Sequence, residues 1–281
     1  AFALFAAHTA TTTVGSFFNR ALLHDRNFLS GCVIAFVVGI TLYATMALLP
    51  NLLQGLLGYP VVYTGEVMAP RGIGTMIAML VVGRMLHHID ARWIMALGFT
   101  LTATALWMMT RMTLDMDSGL VTISGLIQGL GIGFTFVPLS TVTFATLAPA
   151  LRNDGTPIYN LLRNIGSSVG ISIVQTMLTQ GAARAHAELA GDISRGNLAL
   201  GALPAALNPD SMGGLALING EVTRQAAMMS YIGDFWFMLG LTLFSVPLLL
   251  LIRKAGHGAP RRTGARSAES EDGGQFAHAE A

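Results

Sequence analysis

Six long apolar stretches occupy most of this 281-residue chain and limit its fold more than any other feature. Each is close to the roughly 20 residues that a helix needs to cross the hydrocarbon core of a bilayer. The stretches cover residues 28–49, 62–86, 93–112, 120–147, 159–178 and 235–252. The sequence therefore predicts an all-α integral membrane protein with six transmembrane helices.

The composition excludes several other classes of protein. Only 11% of the residues are charged and the mean hydropathy is +0.60, whereas soluble domains carry about 25% charged residues. A single cysteine, Cys32, excludes a disulfide framework and a thiolate metal site. His87 and His88 are adjacent and diverge on a helix, with no third metal ligand beside them. We therefore expect a lipid bilayer around the chain, and neither a cofactor nor a nucleic-acid partner.

The polar segments divide the chain into three parts. Residues 1–27 begin with ten mostly apolar residues, too few to span a bilayer, and are expected to be the end of a preceding helix and a cytoplasmic linker. Residues 28–252 form the six-helix transmembrane half, in which 181–234 is expected to be a long extracytoplasmic loop containing amphipathic helices. Residues 253–281 are polar and glycine-rich and are expected to be disordered. We expect the whole to be the C-terminal part of a longer protein.

Lysine and arginine positions predict the orientation, because short cytoplasmic segments of membrane proteins are enriched in these residues. If the first span starts inside, the inner segments and the tail hold ten lysines and arginines. The short outer loops hold one, Arg111. Both ends are therefore predicted to be cytoplasmic. The 181–234 segment then lies outside.

Two arginines, Arg71 and Arg163, lie within the apolar stretches. An ionisable group at membrane depth is retained where it meets a polar cavity, an opposite charge or a backbone carbonyl. For Arg71, Pro70 frees a carbonyl one turn earlier, and Glu66 is a possible partner. A partner from the missing N-terminal half is as plausible, and Glu66 is either a protonatable site or an interfacial residue.

The fifth span has a polar face, because Asn160, Arg163 and Asn164 are spaced three and four residues apart. We expect these residues to line a central cavity. The alternative is that Arg163 extends to water from a position near the cytoplasmic end. Gln128 in the fourth span is either a cavity-lining group or an interhelical hydrogen-bond donor.

Two further patterns concern helix packing and the inner loop. Glycines at four-residue spacing let helix backbones approach closely; they are Gly125, Gly129, Gly133, Gly166 and Gly170. The inner loop carries two arginines and an aspartate that either form a latch for one conformation or only supply inner positive charge. The latch residues are Gly83, Arg84, Asp90 and Arg92.

Taken together, these motifs resemble the C-terminal half of EmrB/QacA-type drug:proton antiporters, fourteen-helix members of the major facilitator superfamily. The resemblance covers roughly residues 20–255. It rests on the 83–92 loop, the segment Ala69-Pro70-Arg71-Gly72-Ile73-Gly74, and Asn160-x-x-Arg163-Asn164-Ile165-Gly166. The loop departs from the family pattern, since His87 replaces the expected aspartate and Ala91 the expected arginine.

The resemblance implies proton-driven export of amphipathic compounds across the bacterial inner membrane by alternating access between two halves. A periplasmic adaptor with an outer-membrane channel is a further partner to test for. Two other functions fit the same fold: a carrier for one specific metabolite, and a non-transporting receptor or scaffold. An enzyme is not expected, because Gly166-x-Ser168-x-Gly170 lies inside a membrane helix rather than in the strand-to-helix turn that a nucleophile elbow needs.

Overall fold

The computed structural model describes residue 22 and residues 25–192 and 211–249. This part of the chain is helical and contains no strand. The expectations for 1–21, 193–210 and the tail lie outside the described residues. Six helices follow one another in the described segments, and a π-helical turn, Leu52–Leu56, extends the first. They are α1 (Arg26–Asn51), α2 (Val61–Met85), α3 (Ala91–Met109), α4 (Ser118–Ala145), α5 (Pro149–Asp192) and α6 (Met212–Leu248).

Helices α1 and α4 each pack against three other helices and form the centre of the bundle. Helix α1 is the more deeply buried of the two. It packs most extensively against α5 and also contacts α4 and α6. Helix α4 in turn packs against α2 and α3, and α6 packs against α5 and α3. Helices α2 and α5 therefore lie on opposite sides of the α1–α4 pair.

The start of α1 is fixed by a charged side chain. The Asp25 carboxylate accepts hydrogen bonds from the backbone N–H groups of Asn27, at 2.9 Å, and Phe28, at 3.0 Å. These N–H groups have no partner inside the helix, so the aspartate stabilises this end by roughly 0.5–2 kcal/mol. The Thr146 hydroxyl also donates to Asp25 at 2.8 Å, which ties the end of α4 to the start of α1.

Two large apolar clusters occupy opposite ends of the bundle. The first surrounds Leu52, Met109 and Phe235, and the second surrounds Phe28, Leu139 and Tyr159. We call them the outer and inner clusters, following the predicted orientation. Successive helices run between them in alternating directions, as expected when each helix crosses the same layer.

Four of the six described helices are long and apolar enough to cross a membrane: α1 with its π-helical turn, α2, α4 and α6. Helix α5 has the length but carries Arg163, two asparagines and several serines in its central part. That composition lowers its hydropathy and is typical of a helix that borders a polar space rather than lipid alone.

The predicted boundaries of the last two helices were wrong. Helix α5 has 44 residues and α6 has 37, so most described residues of the 181–234 segment continue these two helices. Hydropathy marks only the part of a helix that lies in lipid, whereas backbone hydrogen bonds continue into water. His186 and Asn219 join the two extensions by a 3.0 Å hydrogen bond. The side of the membrane on which they project stays a prediction.

Candidate functional site

A group of polar side chains is buried around the middle of α1. Arg71 of α2 is only 9% exposed, and its Nη2 donates to the Leu42 carbonyl at 3.4 Å. Gln128 of α4 is fully buried and donates from Nε2 to the Thr45 hydroxyl at 3.2 Å. We call Thr45, Arg71 and Gln128 the central cluster. Their level between the two apolar clusters places them deep in the bundle.

The central cluster leaves hydrogen-bonding capacity unused. Arg71 Nη1 and Gln128 Oε1 are buried and have no partner among the described residues. A cavity of about 20 Å³ adjoins Gln128 and is lined by four threonines, Thr41, Thr102, Thr135 and Thr242. This volume is enough for about one water molecule, which needs about 10–15 Å³, but the accessible lining of the cavity is mostly apolar.

Arg163 of α5 reaches a second position beside α1. Its guanidinium carbon lies 5.2 Å from the centre of the Phe136 ring of α4. Phe136 is nine residues, or about 14 Å along the helix axis, from the inner end of α4 at Ala145. The guanidinium therefore stacks on an aromatic ring inside the bundle instead of extending to the inner surface. This geometry favours the cavity interpretation over the snorkelling one.

The remaining predicted cavity residues are more exposed. Asn160 is half-buried, and Asn164 and Glu66 are exposed on the outside of the described bundle. No hydrogen bond or ion pair joins Glu66 to Arg71 within the part of the chain that is described. The structure thus brings Arg71 and Gln128 to the same level of α1, and it leaves Glu66 on another surface of α2.

The predicted latch residues lie at the inner turn between α2 and α3. Gly83 and Arg84 are in the last turn of α2, Asp90 is the N-cap residue of α3, and Arg92 follows in its first turn. This places the four residues at one end of two antiparallel helices. Their role as a latch stays a prediction.

The predicted packing glycines lie at two helix crossings. Gly129 and Gly133 of α4 meet the α2 backbone near Arg71 and Thr75. The Thr75 hydroxyl donates to the Gly129 carbonyl at 3.1 Å across this crossing. Gly166 and Gly170 of α5 meet α1, and a Cβ atom on Gly170 would lie 2.7 Å from the Ile40 Cα. Gly125 is less tightly packed, since a Cβ atom there would have the Arg71 Cβ as its nearest neighbour, at 3.8 Å.

Replacing Gly129 with alanine is expected to destabilise the protein by about 1–3 kcal/mol, because the added methyl group collides with the Arg71 carbonyl. The measurement is the temperature at which the detergent-solubilised protein loses its monodisperse elution peak. Gly220→Ala is the matched control, since nothing lies within 4 Å of a Cβ atom there. Equal melting temperatures for the two variants would contradict this view of the crossing.

Sequence reasoning missed one buried charged residue, Asp234. It is 1% exposed in α6, and both carboxylate oxygens are buried with no partner among the described residues. The predicted sixth span began at Phe235 because hydropathy treats an aspartate as a boundary. The signal that was available is the apolar sequence on both sides, from Met228 to Ile232 and from Phe235 onward.

The described helices cross at closely packed glycines and bury polar groups within an apolar bundle, an arrangement typical of membrane transport proteins. Residues 5–171, more than half of the chain, match the model of the Major Facilitator Superfamily. The chain therefore belongs to the Major Facilitator Superfamily, whose members are transporters and not enzymes.

Within this superfamily, the chain is similar in sequence to drug and fatty acid resistance transporters of the EmrB type. The chain is 28% identical to the Multidrug export protein EmrB of Escherichia coli K12 over 233 residues, 82% of the chain and 46% of the relative. It is 30% identical to the Fatty acid resistance protein FarB of Neisseria gonorrhoeae over 243 residues, 84% of the chain and 47% of the relative. The Lincomycin resistance protein LmrB of Listeria monocytogenes is 26% identical over 154 residues, 55% of the chain and 33% of the relative. The chain spans about half the length of the first two.

Proposed function

We propose that this chain is the C-terminal half of a proton-coupled exporter of amphipathic compounds in the bacterial inner membrane. The observation that carries the proposal is the central cluster, in which Arg71 and Gln128 are buried within an apolar bundle of this superfamily. A scaffold that only fills a membrane has no need of a guanidinium and an amide with unused hydrogen-bonding atoms in its core. A transport route supplies water and ligand groups to such atoms.

The proposal includes an N-terminal half that rocks against this one. Helices α2 and α5 lie on opposite sides of the bundle and expose large apolar side chains. On α2 the exposed ones include Val62, Ile73, Met76 and Leu80, and on α5 they include Leu161, Ile165 and Val169. Surfaces of this kind suit contact with lipid or with a second helical half. The asparagines and Arg163 of α5 border the same surface and would then face the space between the halves.

Amphipathic compounds are the substrate class that we propose. The named relatives are a multidrug exporter, a fatty acid resistance protein and a lincomycin resistance protein. The compounds in these names have no common chemical scaffold, but fatty acids combine a polar end with an apolar surface. In this chain, polar groups deep in an apolar bundle offer both kinds of contact. A periplasmic adaptor with an outer-membrane channel remains part of the proposal, in which the α5–α6 extension would be its docking surface.

The test uses the full-length protein that contains this chain, produced in a bacterial host lacking its own drug exporters. Accumulation of a fluorescent amphipathic cation and of a radiolabelled long-chain fatty acid is measured with and without a protonophore. We expect lower accumulation of at least one compound in energised cells, and loss of the difference when the protonophore collapses the gradient.

Empty-vector cells provide the baseline for this experiment. Equal accumulation in both strains, across a panel of amphipathic compounds, would contradict multidrug export. Export of a single polar metabolite, with no effect on the panel, would instead identify a specific carrier.

A further inference from the structure

Asp234 is buried by this half of the protein alone. Its side chain is 1% exposed, and neither oxygen has a hydrogen-bond partner among the described residues. Tyr231, Phe235 and Met238, its neighbours on α6, belong to the outer apolar cluster. The described helices therefore bury the carboxyl group without any contribution from a second half.

The surroundings decide which charge state the carboxyl group can hold. An ionised carboxylate without a partner in an apolar environment is much more costly than the neutral acid. This arrangement therefore favours the protonated form of Asp234 over the ionised form. Release of the proton requires a change of conformation that brings water or a cation to the side chain.

A cavity of about 340 Å³ leads to Asp234 between α5 and α6. Exposed side chains of α5, including Arg184 and Glu188, line it together with Ser230 and Asp234 of α6. The two helices are antiparallel, so Glu188 marks the outer end of the lining and Asp234 the inner end. The cavity thus extends from exposed, charged residues to a buried acid.

The inner side of Asp234 leads to the central cluster. Met238 lies one turn, or about 6 Å along the helix axis, further into the membrane. Its Sδ is 3.6 Å from the Thr45 hydroxyl, which also accepts the hydrogen bond from Gln128. Asp234 therefore lies between the outer cavity and the central cluster that we assign to substrate.

Few other titratable groups are near Asp234. Tyr231 precedes it by one turn on α6, and Arg184 and Glu188 line the cavity from α5. The π-helical turn carries no titratable residue. The helices α1 and α3, which also pack on α6, carry Arg26, Cys32, Tyr43 and Arg92. Arg26 and Arg92 lie at the inner ends of their helices, and none of these groups hydrogen-bonds the Asp234 carboxyl.

We propose that Asp234 is a proton-binding site of the transporter, loaded from the outer side through the α5–α6 cavity and unloaded to the inner side when substrate binds. In the step, a carboxylate oxygen takes a proton from outer water, and the same O–H bond breaks to release the proton to inner water when substrate binds from the inner side, before the substrate is carried outward. No other bond forms or breaks. This inference rests on the proposed function, because it assigns the residue that couples export to the proton gradient.

The experiment uses the full-length protein in proteoliposomes, with an amphipathic cation as substrate and an enclosed pH dye. Asp234→Asn keeps the shape of the protonated acid but cannot release the proton. We expect this variant to bind substrate and to exchange it between the two sides, while substrate-induced proton movement falls to the level of protein-free liposomes. Uphill export driven by a pH gradient is lost with it.

Glu221→Gln is the matched control, because Glu221 is an exposed acid on the same helix, 3.7 Å from Arg224. It should behave as wild type. A wild-type protein that neither exports nor moves protons would overturn the proposed function. If the wild type does both and Asp234→Asn still moves protons, only the inference about Asp234 fails. Loss of binding for cationic but not neutral substrates in Asp234→Asn would also overturn it, since Asp234 would then be a contact for the substrate cation.

A second measurement decides the matter if Asp234→Asn does not fold. Dicyclohexylcarbodiimide modifies protonated carboxyl groups in apolar surroundings, and mass spectrometry locates the product. In wild-type membranes we expect modification at Asp234 that increases as the pH falls and decreases when substrate is bound. Absence of modification at Asp234 across the pH range would overturn the proposal.

Discussion

Replacing Arg71 with leucine is expected to abolish export while leaving the amount of protein in the membrane at or above that of wild type. An arginine at the centre of a spanning helix costs about 2.5–3.5 kcal/mol on insertion, so a leucine there should insert more readily. The same change removes the donor to the Leu42 carbonyl and the only guanidinium of the central cluster. Quantitative immunoblotting of membranes and substrate accumulation in cells measure the two effects separately.

Arg71→Lys should retain part of the activity, because an ammonium keeps the charge but not the planar fork of donors. The control is Arg111→Leu. Arg111 is an exposed arginine at the end of α3, and its guanidinium carbon lies 5.1 Å from the Trp107 ring centre. We expect the Arg111→Leu variant to export at the wild-type rate. Full export by Arg71→Leu would make Arg71 a dispensable charge and would remove the observation on which the proposed function depends.

Replacing Arg163 with alanine is expected to abolish export at near-normal membrane abundance. The stacking of the guanidinium on Phe136 is worth about 0.5–2 kcal/mol, which is too little to unfold a six-helix bundle. What is lost is a positive charge placed inside the bundle beside the polar face of Asn160 and Asn164. Transport rates of purified protein in liposomes, normalised to the folded fraction, give the measurement.

Arg152→Ala is the matched control on the same helix. Arg152 is exposed near the start of α5 and donates to the Leu147 carbonyl at 3.2 Å, outside the apolar part of the bundle. It should export at the wild-type rate. An Arg163→Ala protein that matched it would return Arg163 to the role of an interfacial arginine that extends to water.

The first four helices were predictable from the sequence to within three residues at each end. In that part of the chain, apolar stretches just long enough to cross the membrane are separated by short polar turns such as 86–90 and 110–117. Since lipid exposure and helix length coincide there, hydropathy locates the ends. The positions of Arg71 and Gln128 could be predicted for the same reason, as polar residues within such stretches.

The last two helices and Asp234 could not be predicted in this way. Residues 181–192 and 212–225 carry enough charged and polar side chains to resemble a loop, yet they are helical, and the two extensions pack against each other. The Ser230 hydroxyl, for example, donates to the Leu178 carbonyl at 2.8 Å. The burial of Asp234 depends on side chains from several helices at once, which no pattern along a single helix contains.

The length of α5 gives the transporter a mechanical property. A continuous helix of 44 residues is about 66 Å long, roughly twice the thickness of the hydrocarbon core. If it tilts by about 10° around its inner end, its far end is displaced by about 11 Å. In the proposed rocking of the two halves, the helix would act as a lever, and α6, joined to it through His186 and Asn219, would be carried along. A partner bound to this lever would sense the conformation of the transporter without contacting the substrate.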